Sequence, residues 1–300
     1  SFFDHFIGLI AQPTVFFLFY AVAGAVVVCL GVDKGIEKFS KFLMPLLLVI
    51  IVGISIYTLT LDGAGEGLKY YILPDFDGFT GTKLMKTIAA AVGQLFYSMS
   101  LAMGIMVTYG SYMRKEDSIE GSVRHIEIFD TLVAFLSGLI IVPAVFVFSG
   151  GDPDALNKGP GLMFVTLPKV FDSMPAGQFI GALFFILVAL AALTSSISLT
   201  ETVTAVVMEK TKLSRVKSCG IVIIFTIAVG MLSVLGYSAW ADFKLFGMQM
   251  LDFFDFISNS VLMPIIALLT CIFVGYFHRK KCQSIENSEE NRKIKNKQKY

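Results

Sequence analysis

The sequence predicts an all-α, polytopic membrane protein. Three observations carry this. Of its 300 residues, 55% are hydrophobic and only 16% charged, with a mean hydropathy of +0.75; a soluble chain usually has about 25% charged residues. Long apolar runs such as Leu43–Ile56 and Ile221–Leu235 recur along the chain. Polar residues interrupt two of the apolar segments at mid-length. The strict alternation of an outer-membrane barrel is absent, and a lipid-exposed backbone must satisfy its own hydrogen bonds, so the spans are read as helices.

A span needs about 20 mostly apolar residues. Seven segments qualify: roughly 14–31, 42–61, 84–110, 125–149, 178–208, 216–238 and 250–277. The connections between them divide by charge. One side holds Lys34, Lys38, Lys41, Arg114, Lys115, Arg124, Lys210, Lys212, Arg215 and Lys217, with eight further Lys and Arg in the tail from Arg279 to Lys299. The other side holds six: Lys69, Lys83, Lys86, Lys158, Lys169 and Lys244. The positive-inside rule places the first side and the C-terminus in the cytoplasm of a cell with the protein in its plasma membrane. Residues 1–278 then form the membrane domain, and 279–300 a polar cytoplasmic tail of mixed charge that is expected to be disordered. The net charge of +1 points to no nucleic-acid partner. Ser1 follows no initiator Met and no signal-peptide pattern, and the first residue falls outside, so further spans are expected upstream.

The outward connections are rich in turn residues. Residues 62–83 hold Gly63, Gly65, Gly67 and Pro74, and 150–177 hold Pro153, Pro160, Pro168 and Pro175. Long connections of this kind are often functional lids. Cys29, Cys219, Cys271 and Cys282 are scattered and suggest neither a disulfide framework nor a transition-metal site.

The polar interruptions carry the functional argument. The third span contains Gln94, Ser98, Ser100 and Gly104, and the fifth contains Thr194, Ser195, Ser196 and Ser198. Such residues serve helix packing, with hydroxyls bonded back to the preceding turn. They also serve ion and substrate binding, because a helix broken at mid-membrane offers carbonyls to a cation and N–H groups to a carboxylate. Hydroxyl and carbonyl oxygens are hard ligands suited to an alkali cation. Asp130 is either interfacial or a ligand. Asp252 and Asp255 open the last span, where they can be solvated, and Glu201 follows the hydroxyl cluster with no assigned role. The three His lie at span edges, and Ser195 has no His near it in sequence, so no catalytic constellation is present and the chain is read as a non-enzyme.

At these residues the chain resembles the neurotransmitter:sodium symporter family, specifically its bacterial sodium-dependent amino-acid transporters. The carriers are Gly35–Pro45, Leu73–Phe76, Val92-Gly-Gln-Leu-Phe-Tyr-Ser-Met-Ser-Leu101, Thr108–Tyr112, Gly159–Pro168, Leu193-Thr-Ser-Ser196 and Leu251–Phe256, in family order from about Phe2 to Phe277. The resemblance implies a leucine-transporter-like inverted-repeat fold with broken helices. The seven spans match family helices 4 to 10 of an eleven- or twelve-helix protein, with helices 1 to 3 and everything after helix 10 missing.

The resemblance also implies residue roles. One sodium is held by the Ala191 carbonyl with the Thr194 and Ser195 hydroxyls, and another involves Ser98 and Asp130. The substrate cradle comprises Tyr97, Ser98, Ser100, Leu101, Met103 and Ser195, with Leu199 lining the side-chain pocket and Tyr97 as its aromatic lid. Asp255 and Gln94 belong to an outer gate, and Gly35 and Pro45 to an inner helix end that unwinds. Asp130 stands where the family often has Asn, and Ala134 one turn on is not acidic, which implies that Asp130 supplies the charge chloride provides elsewhere. Ala102 and Met103 stand in place of Gly and Phe. The unbranched Met favours an apolar amino acid.

The expected activity is sodium-coupled symport of an apolar amino acid, with Na⁺ as coupling ion and no organic cofactor. The alternative is a truncated fragment that needs a partner for the missing helices. A channel lacks its charge ring or filter signature. The oligomeric state is not given.

Overall fold

The computed structural model describes residues 2–73, 80–114, 117–149 and 161–277, less the side chains of 33, 34 and 149. Among these residues the chain forms twelve α-helices: α1 (Phe2–Gly8), α2 (Ala11–Cys29), α3 (Lys38–Leu59), α4 (Ala64–Ile72), α5 (Gly81–Ser98), α6 (Ile105–Tyr112), α7 (Ile119–Ser149), α8 (Leu167–Ser173), α9 (Gly177–Thr211), α10 (Arg215–Tyr237), α11 (Met250–Asp255) and α12 (Met263–Ile272). Wider π-helical turns lie before α3 (Val32–Glu37), before α8 (Leu162–Thr166), between α11 and α12 (Phe256–Leu262) and after α12 (Phe273–Phe277). The expected tail from 279 and the prolines at 74, 153 and 160 lie outside the described residues.

Among the described residues six stretches are long and apolar enough to cross a bilayer: Ala11–Cys29, Gly35–Leu59, Ile119–Phe148, Gly177–Thr211, Arg215–Tyr237 and Met250–Phe277. They match six of the seven expected spans. The other, 84–110, is divided into α5 and α6. Large apolar side chains such as Phe19, Phe42, Val49, Ile224 and Leu268 stand exposed on the outer faces. Water would penalise such faces; lipid tails do not.

The expected break in the fifth span is not there. α9 runs unbroken for 35 residues through the Thr/Ser cluster. The hydroxyls explain why. Thr194 Oγ1 donates to the Ala191 carbonyl (2.8 Å), Ser196 to Leu193 (2.9 Å), Ser198 to Thr194 (3.1 Å), Thr200 to Ser196 (2.8 Å) and Thr202 to Ser198 (2.9 Å). These five hydroxyls are satisfied inside their own helix, so they require no unwinding.

Two apolar cores fix the helices. The larger gathers Ile51 and Ile54 of α3, Ile140 and Val145 of α7, and Phe171 and Phe184 of α8 and α9. The smaller gathers Val28, Ile36, Ile197 and Cys219, joining α2, α9 and α10. The connection 62–83 holds α4, which packs along α7. By contrast α5 has no buried residue.

Below the smaller core sits an ionic knot. The Glu201 side chain is fully buried and pairs with the Arg215 guanidinium. Tyr112 Oη donates to the other Glu201 oxygen at 2.6 Å, and Arg215 Nε donates to the Val28 carbonyl at 2.8 Å. One carboxylate thus links α2, α6, α9 and the start of α10. A buried pair contributes little net stability over an apolar substitute, but removing one partner strands the other charge. Glu201→Ala is expected to cost about 3 kcal/mol and to lower the melting temperature in detergent, whereas Glu201→Gln, which keeps an acceptor for Tyr112, loses less than half as much. Equal melting of both variants and the parent would show that the knot does not stabilise the fold.

Candidate ion and substrate site

The division of the third span builds the site. After Ser98 the chain turns through Ser100 (φ 54°), Ala102 (φ 62°) and Gly104 (φ 78°) before α6 begins. The left-handed region suits Gly104 but disfavours Ser and Ala. A Cβ at Gly104 would also lie 3.1 Å from Thr202 Cγ2 of α9. Strained backbone persists only where the surroundings over-determine it. Here the Met99 N–H bonds Leu95, Ser100 bonds Tyr97 and Leu101 bonds Phe96, while α6 starts with first-turn N–H groups that have no partner inside the helix.

The break faces a cavity of about 1240 Å³ between α5, α9, α10, the start of α3 and the last span. Of the residues expected in the site, Gln94, Tyr97, Ser98, Ser100, Met103, Thr194, Ser195, Leu199 and Asp255 line it. Residues 90 or more apart in sequence are thereby brought to one space, and the Ser98 and Thr194 hydroxyls share it. Leu101, Ala191 and Asp130 are not among its lining residues. Ala191 contributes its carbonyl to Thr194, and Asp130 of α7 accepts a 2.5 Å hydrogen bond from Ser98 Oγ. Asp130 therefore touches the site through Ser98.

Gly35 and Pro45 also lie outside the cavity lining. Gly35 sits in the π-helical turn before α3, where a Cβ would fall 2.1 Å from the Val27 carbonyl. Pro45 is inside α3, where it removes a backbone donor. Their neighbours Ile36, Ser40 and Met44 do line the cavity.

Sequence reasoning missed several lining groups: Ser40, Ser233, Phe254 and Asn259. Ser233 and Asn259 are polar residues inside apolar segments, the same signal that singled out Ser98 and Thr194. Asn259 Nδ2 donates to Asp255 Oδ1 at 2.7 Å, a bond that the four-residue spacing foreshadows. Also missed was Tyr109, whose hydroxyl lies 3.0 Å from Ser198 Oγ and ties α6 to the hydroxyl cluster of α9. The donor set is thus hydroxyls, carbonyls and carboxylates. Among the described residues there is no group of three His, Cys, Asp or Glu side chains placed to hold a metal.

Oxygen-bearing groups at a helix break, facing a second polar helix, are the arrangement that membrane transporters with discontinuous helices share. Comparison with known proteins supplies the family. The pattern of the sodium:neurotransmitter symporter family matches residues 5–293, and the chain belongs to that family. It is 34% identical over 278 residues to an uncharacterized sodium-dependent transporter of Haemophilus influenzae, covering 92% of this chain and 59% of that protein. It is 36% identical to the sodium-dependent transporter YhdH of Bacillus subtilis, covering 86% and 55%. A crystal structure of MhsT in complex with L-phenylalanine superposes with a TM-score of 0.79 at 36% identity, over 92% of this chain and 61% of that one. The chain thus spans about three-fifths of the length of these relatives. The family is one of sodium-dependent transporters rather than enzymes, and the chain is a multi-pass membrane protein.

The Ser98–Asp130 contact gives the site its clearest energetic test. Ser98→Ala and Asp130→Ala are each expected to lower thermal stability, and the double variant to lose about 1 kcal/mol less than their sum, the share of an exposed charge-assisted hydrogen bond. Strict additivity in that cycle would show the contact to be idle.

Proposed function

We propose that this chain carries the helix-break half of a sodium–amino-acid symporter. The observation that carries the reading is the single cavity into which the left-handed break of the third span and the hydroxyl face of α9 both open. Thr194 and Ser195 offer hydroxyls to one Na⁺, with the Ala191 carbonyl as third oxygen. Ser98, steadied by Asp130, offers oxygen to a second. A zwitterionic substrate sits against the break: its carboxylate meets Na⁺ and the free N–H groups at the start of α6, and its side chain meets Tyr97, Met103 and Leu199. Each ligand then raises the other's affinity by linkage. Downhill Na⁺ entry drives substrate uptake as the cavity closes on one side and opens on the other.

An apolar amino acid fits this lining, since Leu251, Phe254, Leu262, Met263 and Ile266 make up its far wall. MhsT in its complex holds L-phenylalanine, which supports that substrate class. The charge distribution supports a cytoplasmic position for the Lys210–Lys217 side and the C-terminus, in the plasma membrane. α5 has no buried residue, and the relatives are longer than this chain, so additional helices of the whole protein would lie against α5 and complete both ion sites. Asp130 supplies a fixed negative charge beside Ser98, which favours transport that does not need chloride.

Proteoliposomes bearing the chain within its whole protein test this directly. An inward Na⁺ gradient is expected to drive uptake of labelled L-phenylalanine or L-leucine, unchanged when gluconate replaces chloride. Thr194→Ala and Ser195→Ala are expected to raise the Na⁺ concentration for half-maximal uptake about tenfold each, equivalent to about 1.4 kcal/mol. Uptake that ignores the Na⁺ gradient overturns the symport reading. Loss of uptake without chloride overturns only the role given to Asp130.

A further inference from the structure

The connection 238–249 joins two membrane-crossing stretches, Arg215–Tyr237 and Met250–Phe277. Its base is closed: a Cβ at Gly236 would lie 2.8 Å from Met250 Cβ, so the end of α10 rests on the start of α11. A connection this short, tethered at both ends, stays near the bilayer surface. Within it the chain folds back on itself. The Trp240 N–H bonds the Leu235 carbonyl at 2.8 Å, and the Phe243 N–H bonds the Trp240 carbonyl at 2.9 Å. Leu245 and Met248 then exchange backbone hydrogen bonds of 2.9 and 3.0 Å, closing a hairpin turn whose tip is Phe246 (φ 52°) and Gly247 (φ 80°). Positive φ at both tip residues is the pattern of a turn that usually takes Asn, Asp or Gly in first place. Here that place holds a bulky Phe, for which the left-handed region is disfavoured. Its ring is 88% exposed, and Trp240 and Phe243 of the same connection are exposed as well.

We propose that this hairpin is a bilayer anchor: Phe246, with Phe243 and Trp240 behind it, seats in the boundary between lipid headgroups and acyl chains. In water Phe246 is disfavoured twice, by its backbone and by its bare ring. The fold answers with a ring stack on Phe253, centroids 6.0 Å apart. Acyl chains remove the second cost, and the closed turn holds the ring outward to meet them. Lipid is the occupant because the hairpin continues a lipid-facing surface: Ile224 of α10 and Leu268 of the last span stand exposed on either side of it in sequence. Trp carries an apolar body and a polar N–H, which suits the headgroup boundary. Lys244 is exposed two residues before the tip, where its stem can lie along lipid and its ammonium reach phosphate. Phe253 also touches Phe254, centroids 6.1 Å apart, and Phe254 lines the cavity. Two ring contacts therefore join the anchor to the far wall of the candidate site. The inference needs the membrane class of the chain and not the transport reading, and its test scores fluorescence rather than uptake.

Trp240 is the one Trp in the chain, so it is a native probe. The full chain is placed in proteoliposomes of phosphatidylcholine brominated either near the headgroup end or near the methyl end of its acyl chains. Quenching of Trp240 by the first lipid is expected to exceed that by the second at least about twofold, the signature of a residue at the headgroup boundary. The variant combining Trp240→Phe with Phe246→Trp moves the probe to the hairpin tip by exchanging one exposed aromatic for another. The tip probe is expected to show the same preference and to be shielded from iodide added to the water. The parent needs no substitution, so its own quenching stands whether or not the variant folds. The proposal is overturned if either probe is quenched by iodide as freely as indole in solution, which marks a hydrated loop. It is overturned equally if neither bromolipid nor iodide quenches, which marks a face covered by protein, or if the methyl-end lipid quenches as strongly as the headgroup-end lipid.

Discussion

The candidate site turns on one backbone constraint. A helix crossing lipid hides its own hydrogen-bonding groups, so a break is tolerated only where the freed groups face protein or a polar space. The chain breaks at Ser100–Gly104, with positive φ at three alternate positions, and the break faces the cavity. Without it the third span would be one apolar rod, and Ser98, Ser100 and Met103 would be spread around a cylinder rather than gathered at a turn. The strain at Ser100 and Ala102 is held in place by what surrounds the break: Thr202 against Gly104, Tyr109 on Ser198, and Tyr112 on Glu201.

The second side of the site obeys the opposite rule. α9 keeps its ladder intact and presents polarity through side chains alone. Its Thr194, Ser196, Ser198, Thr200 and Thr202 hydroxyls are pre-bonded to carbonyls of their own helix, so each can turn a lone pair outward without leaving a donor unsatisfied. A broken helix and an unbroken one therefore supply different oxygens to the same space. The broken one can change shape at small cost, because its hydrogen bonds there are already few. The unbroken one is anchored by its residues in both buried cores.

The ionic knot at Glu201 belongs to the same design. It fastens the ends of α2, α6 and α10 to α9 through one carboxylate, and it lies on α9 two turns beyond Thr194. A charge in that position is tolerated because Arg215, Tyr112 and the packing around them replace its water. α6 is thus tied near its C-terminal end to Glu201, while its first residue, Ile105, lines the cavity.

Sequence alone determined the membrane class, six of the seven expected spans to within several residues, and the family, because apolar length and polar punctuation are properties of the chain taken in order. It also located the break in the third span, since Ser, Ser and Gly inside an apolar run conflict with an uninterrupted lipid-facing helix. It erred at the Thr/Ser cluster of α9, because a hydroxyl that bonds its own helix and one that marks a break look alike in a string of letters. Only the tertiary structure decided that Glu201 is paired with Arg215, that Asp130 reaches the cavity through Ser98 rather than directly, and that Cys29 and Cys219 belong to one apolar cluster. Those facts rest on which faces of separate helices meet, and in an apolar chain every face looks alike until packing has chosen among them.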